Sequence, residues 1–223
     1  MTLDYKTIYE ECAGQPWSMY DSGIEDEEDL ESAMCIAINQ AMSYLWNLYP
    51  WAFKKKDYKI KTRKDRAEYN APKGSIEKKT VSDATGFNVI LDREYLTYEE
   101  EPETLENATG KPTHFYIDGD KICLYPTPDD TYEIKIKYLL NPYGLNEQGD
   151  YIYELKSFTD IINISEEYET MFKNCLLNKA MVYAISEEGD ENYSAYSRKY
   201  EEALFVLQNY CKNKNNNEKR III

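Results

Sequence analysis

Apolar residues near the start of the chain follow helical spacing. Behind the acidic run of residues 25–29, one face of a 3.6-residue period is occupied by Leu30, Ala33, Met34, Ala37, Ile38, Ala41, Leu45 and Leu48. This pattern predicts a helix from about residue 26 to residue 48 that buries one side. The acids suit its first turn because they face the positive end of the helix dipole. Pro50 disfavours helical geometry at the preceding residue and is expected to end the helix. A shorter helix is predicted over residues 3–12.

The apolar period changes to two after Pro50, which is typical of strands with one solvent-facing side. Tyr58, Ile60 and Thr62 alternate with Lys59, Lys61 and Arg63. Further on, the runs HFYI and KICLYP surround the turn DGD (residues 118–120), a pattern that predicts a hairpin. The alternation over 132–138 predicts a third antiparallel strand, and the three consecutive strands are expected to form a meander. Residues 64–86 are expected to be loop-like, with a weaker strand near residues 87–91.

Helical spacing returns in the last third of the chain. Ser165 is a plausible N-cap, with Glu166 and Glu167 in the first turn. The helix that follows has an apolar stripe that Lys179 interrupts, and it is expected to end at residues 188–190. A second helix is expected to carry the narrow stripe Tyr193, Tyr196, Tyr200, Leu204, Leu207 and Cys211.

The order of these elements predicts an α+β fold, in which an α-helical bundle built from N- and C-terminal helices carries an inserted antiparallel β module. We expect residues 1–53 to supply the N-terminal helices, 54–140 the β module and 141–213 the C-terminal helices. Residues 214–223 are polar up to three final isoleucines, and they are expected to form a flexible C-terminal tail.

Charge is distributed unevenly along the 223 residues, whose formal net charge is −15. Residues 1–53 carry 1 basic and 10 acidic residues (−9), residues 54–80 carry 11 and 4 (+7), and residues 81–223 carry 14 and 27 (−13). A mostly acidic surface argues against general binding of nucleic acid, which requires lysine and arginine to displace counterions. The basic block therefore requires an explanation of its own.

Few residue patterns suggest catalysis. His114 is the only histidine, and in a strand beside a hairpin it is more often a packed or surface residue than a general base. The five cysteines are scattered without a CxxC pair, which indicates reduced thiols rather than a disulfide framework or a zinc site. We expect no enzymatic activity, no cofactor and no metal. No stretch is apolar enough to span a membrane, and the acidic N-terminus does not resemble a secretory signal, so synthesis in a cytoplasm is expected.

The basic block has three interpretations: a solvated strand face, a surface for DNA phosphates, or a contact between subunits. We favour the third, because a surface with one acidic end and one basic patch can pair with copies of itself. The candidate contact residues for a subunit or a portal are Lys55, Lys59, Lys61 and Arg63, together with the terminal Ile221, Ile222 and Ile223.

Two stretches of the sequence resemble the head-to-tail adaptor proteins of tailed phages, including the tail tubular protein A type. One is LWNLYPWAF, where a helix ends in an aromatic cluster before a strand. The other is KPTHFYIDGDKICLYPTPDDTYEIKIKYLLNPYGL, in which an aromatic strand, a DG turn and a proline-rich turn lead into a strand that ends before NP. With the C-terminal helix pair, the resemblance covers residues 30 to 213. The lysine-rich stretch KKKDYKIKTRK departs from the usual pattern of the family.

The resemblance implies a structural virion protein, made in the host cytoplasm, that forms a homo-oligomeric ring, commonly of twelve copies. Such a ring docks beneath the portal protein, contacts a downstream tail protein and continues the channel through which DNA passes without sequence-specific binding. Two other classes stay open on the residues alone: a carboxylate-dependent glycan hydrolase of a phage tail, and a non-catalytic binding module with an exposed aromatic platform.

Overall fold

Helices precede and follow the strands along the chain. The computed structural model describes residues 3–15, 27–83, 88–89, 108–112, 114–185 and 191–220. Within these ranges the helices are α1 (Tyr5–Ala13), α2 (Glu27–Leu48), α3 (Glu166–Ala184) and α4 (Glu191–Arg220), with a short 3-10 helix at Ala52–Lys54. The predicted α+β fold class, with helices from both ends of the chain, is confirmed.

The strands form several small sheets. They are β1 (Lys55–Lys61), β2 (Glu68–Asn70), β3 (Gly74–Asp83), β4 (Asn88–Val89), β5 (Thr109–Gly110), β6 (His114–Asp118), β7 (Lys121–Tyr125), β8 (Thr127–Pro128), β9 (Glu133–Leu140), β10 (Gly144–Leu145), β11 (Tyr151–Ile152) and β12 (Ile161–Ile162). The antiparallel sheets have the orders β1-β9-β3-β4, β2-β7-β6 and β11-β10-β12, while β5 pairs with β8 in parallel.

The chain divides into two compact units. The helical unit comprises Met1–Phe53 and Pro142–Ile223, and the β unit comprises Lys54–Asn141. The four helices and the small β10–β12 sheet belong to the helical unit. This small sheet was not predicted, because its strands are two residues long and show no alternation.

An aromatic cluster fills part of the core of the helical unit. Trp46 and Trp51 are fully buried, and Phe53 is almost so. Phe53 lies 5.8 Å from Trp51 in a stacked arrangement and 5.5 Å from Phe172 of α3, measured between ring centroids. The indole N–H of Trp51 donates to the carbonyl of Leu45 at 2.7 Å, so burying this ring leaves its polar atom paired. The aromatic residues within and just after α2 therefore have a packing role.

The core of the β unit comes from alternating residues of β1, β7 and β9. β1 pairs with β9 antiparallel, and Ile60 lies opposite Ile134. Together with the side chains on β7, they form the cluster Ile60, Ile122, Leu124, Ile134 and Ile136. Since successive strand residues point to opposite faces, burying these isoleucines turns the intervening lysines of β1 outward.

The predicted hairpin is present, but the predicted meander is wrong. β6 and β7 pair antiparallel around Gly119, whose φ of +55° suits a residue without a Cβ. β9, however, pairs with β1 and β3, whereas β7 pairs with β2 and β6. Prolines 126 and 128 lack the N–H that a continued ladder requires, so the chain leaves the β7 sheet before β9 begins.

Two segments expected to be irregular have regular structure. The stretch 64–86 includes β2 and the ten-residue β3, whose backbone pairs with β9 despite a mostly polar sequence. Helix α4 continues to Arg220, past the boundary expected at residue 214. The sequence from 214 to 220 has no glycine or proline, so an established helix can propagate through it. The helix end predicted at residues 188–190 lies outside the described residues. The weaker strand predicted near residues 87–91 lies partly outside them, and β4 (Asn88–Val89) is within its described part.

Candidate assembly surfaces

The lysines of β1 share one face with charged residues of β9. The antiparallel register places Lys59 opposite Lys135, Lys61 opposite Glu133 and Asp57 opposite Lys137. We call this surface the basic face, and it consists of Lys55, Asp57, Lys59, Lys61, Glu133, Lys135 and Lys137. Its five lysines and two acids sum to +3 in a chain whose net charge is −15.

Two ion pairs lie within the basic face. The Lys135 ammonium lies 2.7 Å from the carboxylate of Asp57, and the Lys59 ammonium lies 3.7 Å from that of Glu133. Each of these side chains keeps about four-tenths or more of its surface in water. Exposed pairs contribute little to folding, so the positive charge of this face is available to another molecule.

The other predicted contact residues are placed differently. Arg63 is exposed but follows β1 in the chain, where its backbone N–H donates to the Tyr69 hydroxyl at 2.8 Å. The structure thus brings Lys55, Lys59 and Lys61 onto one strand face and leaves Arg63 in the adjoining loop. The terminal Ile221, Ile222 and Ile223 lie outside the described residues.

Lys54, at the start of the basic block, is buried, and this burial lowers the pKa of its ammonium group.

Sequence reasoning missed an uncharged face on α2. Residues 32–53 contain no Asp, Glu, Lys or Arg, although such residues make up 30% of the chain. The exposed side chains of this face include Ile36, with 56% of its surface in water, and the polar residues Ser32, Gln40, Ser43 and Asn47. The sequence does contain a signal for this face, which is the absence of charge over 22 consecutive residues. Such a stretch indicates a contact surface because the centres of protein interfaces are depleted of charged residues.

An open groove of about 570 Å³ runs beside this face of α2. Its walls include Tyr5, Cys35, Ile36 and Leu155. Asn39 fixes the opposite wall, since its amide nitrogen donates to the Leu155 carbonyl at 2.9 Å and its amide oxygen accepts from the Leu155 N–H at 2.8 Å. The groove is therefore formed by a helix and a loop segment that are held together by paired hydrogen bonds.

A second apolar patch lies on α4. Phe205 has 66% of its surface exposed and Val206 has 53%. The sequence ALFVL at 203–207 has more consecutive apolar residues than one helix face can bury, so some of them must face water. Large exposed apolar side chains on a soluble protein often mark contact sites.

Lys179, which interrupts the apolar stripe of α3, lies among three tyrosine rings. Its ammonium group is 4.6 Å from the ring centroid of Tyr44, 4.5 Å from that of Tyr183 and 5.0 Å from that of Tyr200. Burial lowers the pKa of this ammonium, and the ring faces stabilise its charge. The cluster joins α2, α3 and α4, so the lysine has a structural role at their meeting point.

The described ranges contain no cluster of side chains suited to a metal ion. His114 lies on β6, and no group of three or more His, Cys, Asp or Glu side chains among the described residues could hold a metal ion. In the same part of the chain, no helix is long and apolar enough to cross a membrane.

Comparison with known protein families identifies the family to which this mixed fold belongs. A search of curated proteins found no match. The family model described as SU10 adaptor protein matches residues 16–215, which include α2, the β unit, α3 and most of α4. The resemblance to phage head–tail adaptors is thus confirmed over most of the sequence. The chain belongs to the SU10 adaptor protein family and is a structural adaptor component of a phage virion.

Proposed function

We propose that this protein assembles into a ring that docks on the portal, joins the portal to the tail and continues the DNA channel. The observation that carries the proposal is the family match over residues 16–215, which spans both the helical and the β unit. The ring is expected to contain twelve copies. Its function is non-catalytic, because the subunits act through complementary surfaces rather than through bond-making groups.

The basic face supports a role in assembly. A subunit with net charge −15 repels another copy over most of its surface, and a local net charge of +3 offers a place where that repulsion is reversed. Lys55, Lys59 and Lys61 are therefore assigned to contact with an acidic surface of a neighbouring subunit or of the portal. Arg63 belongs to the same contact if that surface extends past the end of β1.

The terminal isoleucines Ile221, Ile222 and Ile223 are proposed to bind the portal or a neighbouring subunit. Three adjacent isoleucines in water would be an unusual liability, and burying each contributes about 1.5–3 kcal/mol. Part of this gain is offset by the conformational entropy that side chains lose on burial.

Native mass spectrometry of the purified chain mixed with purified portal tests the proposed function. The expected result is a complex that carries many adaptor copies on one portal ring and resists dilution. A chain that stays monomeric in the presence of portal, or that stops at two copies, would contradict the proposal.

Deletion of residues 214–223 tests the role of the C-terminus. The expected result is an unchanged melting temperature of the monomer with reduced attachment to the portal, measured by co-sedimentation. Because Lys214 contacts Glu167 of α3, a second truncation that removes only 221–223 separates the isoleucines from this contact. If either truncated chain melts markedly lower and still assembles normally, the C-terminus belongs to its own fold and the docking role fails.

A further inference from the structure

The uncharged face of α2 and the apolar patch on α4 each belong to a line of exposed residues seven positions apart. On α2, the exposed residues Asp29, Ile36 and Ser43 recur every seven positions. On α4, Arg198, Phe205 and Lys212 recur with the same interval, and all three are exposed. Seven residues complete nearly two turns, so each set forms a line along one side of its helix with steps of about 10 Å.

A ring requires two different surfaces on each subunit, because its contacts run head to tail. The helical unit offers such a pair in the exposed Ile36 beside its groove and the exposed Phe205. The α2 side of the groove carries no charge, and on the opposite side Glu154 and Lys156 form an ion pair with each other at 3.1 Å. The groove can therefore accept an aromatic ring without burying an unpaired charge. In this respect the two surfaces are complementary.

We propose that α4 of one subunit packs antiparallel against α2 of the next, with Phe205 entering the groove beside Ile36. This inference rests on the proposed ring and names the helices that join its subunits. The occupant of the groove is thus a second copy of this chain. We call this contact between α2 and α4 of neighbouring subunits the seam, and Val206 widens its apolar area at one edge.

Charge selects the antiparallel orientation. When Ile36 is opposite Phe205, an antiparallel pair places Asp29 opposite Lys212, the exposed lysine near the C-terminal end of α4. A parallel pair would instead place Asp29 opposite Arg198, within residues 196–202, where Arg198 and Lys199 are balanced by Glu201 and Glu202. Residues 206–213 around Lys212 contain no acid. Antiparallel packing also opposes the two helix dipoles.

The antiparallel pair leaves no repulsive contact at its other end. Gln40 and Ser43 of α2 fall opposite Glu201 and Arg198 of the neighbour, so a neutral amide and a hydroxyl meet one acid and one base. Both polar residues can hydrogen-bond to a charged partner, and neither introduces a charge of like sign. The seam therefore has an apolar centre, one ion pair and a polar end, as subunit interfaces commonly do.

A charge-reversal experiment on the full chain tests the seam. The variants are Asp29→Lys, Lys212→Asp and the two combined, and the readout is the concentration at the midpoint of assembly on portal at low salt. We expect each single change to raise this midpoint about tenfold and the double change to restore it to within about threefold of the original chain. Phe205→Ser should raise it at least about tenfold, since the ring fills the centre of the contact.

Arg198→Asp serves as the orientation control. In the antiparallel seam Arg198 faces Ser43, so Arg198→Asp should shift the midpoint less than about threefold. In a parallel seam Arg198 would face Asp29. That orientation therefore predicts a large effect for Arg198→Asp and a small one for Lys212→Asp. Two results, obtained while the original chain forms the ring, would show that the seam is wrong and leave the proposed ring intact. One is that the Asp29 and Lys212 variants have the same midpoint as the original chain. The other is that the double variant has a midpoint as high as those of the single variants. If the original chain forms no multi-copy complex, the ring fails and the seam fails with it. All four changed side chains are exposed, so circular dichroism should show unchanged melting.

Discussion

The aromatic cluster and the basic face adjoin each other in sequence but use their side chains in opposite ways. The rings of Trp46, Trp51 and Phe53 are buried in the helical unit, and their interactions are satisfied within one chain. Lys55, Lys59 and Lys61 follow within eight residues, and their ammonium groups face water. Buried apolar area stabilises a fold, whereas exposed charge contributes little to stability and strongly influences association. One short stretch of sequence therefore contains rings that stabilise the fold, followed by lysines to which we assign a role in assembly.

The largest expected effect is on the aromatic side of this comparison. Trp51→Ala should lower the free energy of unfolding by about 3–5 kcal/mol, because it opens a cavity and leaves the Leu45 carbonyl without its indole donor. Denaturant unfolding measures the loss, and Leu48→Ala, at a side chain 38% exposed at the end of α2, should cost less than about 1 kcal/mol. Equal losses in the two variants would show that the ring has no special packing role.

Thiol labelling identifies which unit responds to Trp51→Ala. Cys175 is buried in the helical unit, where burial raises its pKa to about 12, and Cys123 is buried in the β unit. A thiol that is both buried and protonated reacts slowly with alkylating reagents. In the Trp51→Ala variant, rapid labelling of Cys175 should begin at a lower denaturant concentration than rapid labelling of Cys123.

A smaller effect is expected from the inward side of the basic strand. Ile60→Ala should cost about 2–4 kcal/mol, because Ile60 belongs to the buried cluster of the β unit. Its neighbour Lys59 points to water, so Lys59→Ala should change the stability by no more than about 0.5 kcal/mol. Denaturant titration followed by labelling of Cys123 checks both values, and a Lys59 variant as unstable as the Ile60 variant would refute the assignment of faces.

The sequence predicted those elements whose signal is local. The stripe on α2 and the DGD turn each depend on residues within a few positions, and both are where the pattern indicated. The alternation likewise predicted that Lys59 and Lys61 share a face, since a strand has a period of two. Arg63, expected to continue this alternation, instead follows the end of β1.

Features that depend on distant contacts were not predicted. β3 is mostly polar, and it is a strand because β9 supplies the hydrogen bonds for its backbone. The partner of β9 could not be read from adjacency either, since pairing with β1 joins residues more than 70 positions apart. The exposure of Phe205 and Val206 was missed for a similar reason: five consecutive apolar residues do not tell which of them the neighbouring helix covers.

The assembly of a basic-face variant, compared with that of a charge-matched control, tests the central claim most directly. Glutamate replaces Lys55, Lys59 and Lys61 in the first, and Lys6, Lys111 and Lys199 in the second. All six lysines are exposed, and each triple changes the net charge from −15 to −21. Native mass spectrometry with portal should show the midpoint of assembly raised at least about tenfold for the basic-face variant and less than about threefold for the control. Monomer stability should change by less than about 1 kcal/mol in both. If the two variants assemble equally well, the lysines of β1 are only a solvated strand face, and the assembly role assigned to them is wrong.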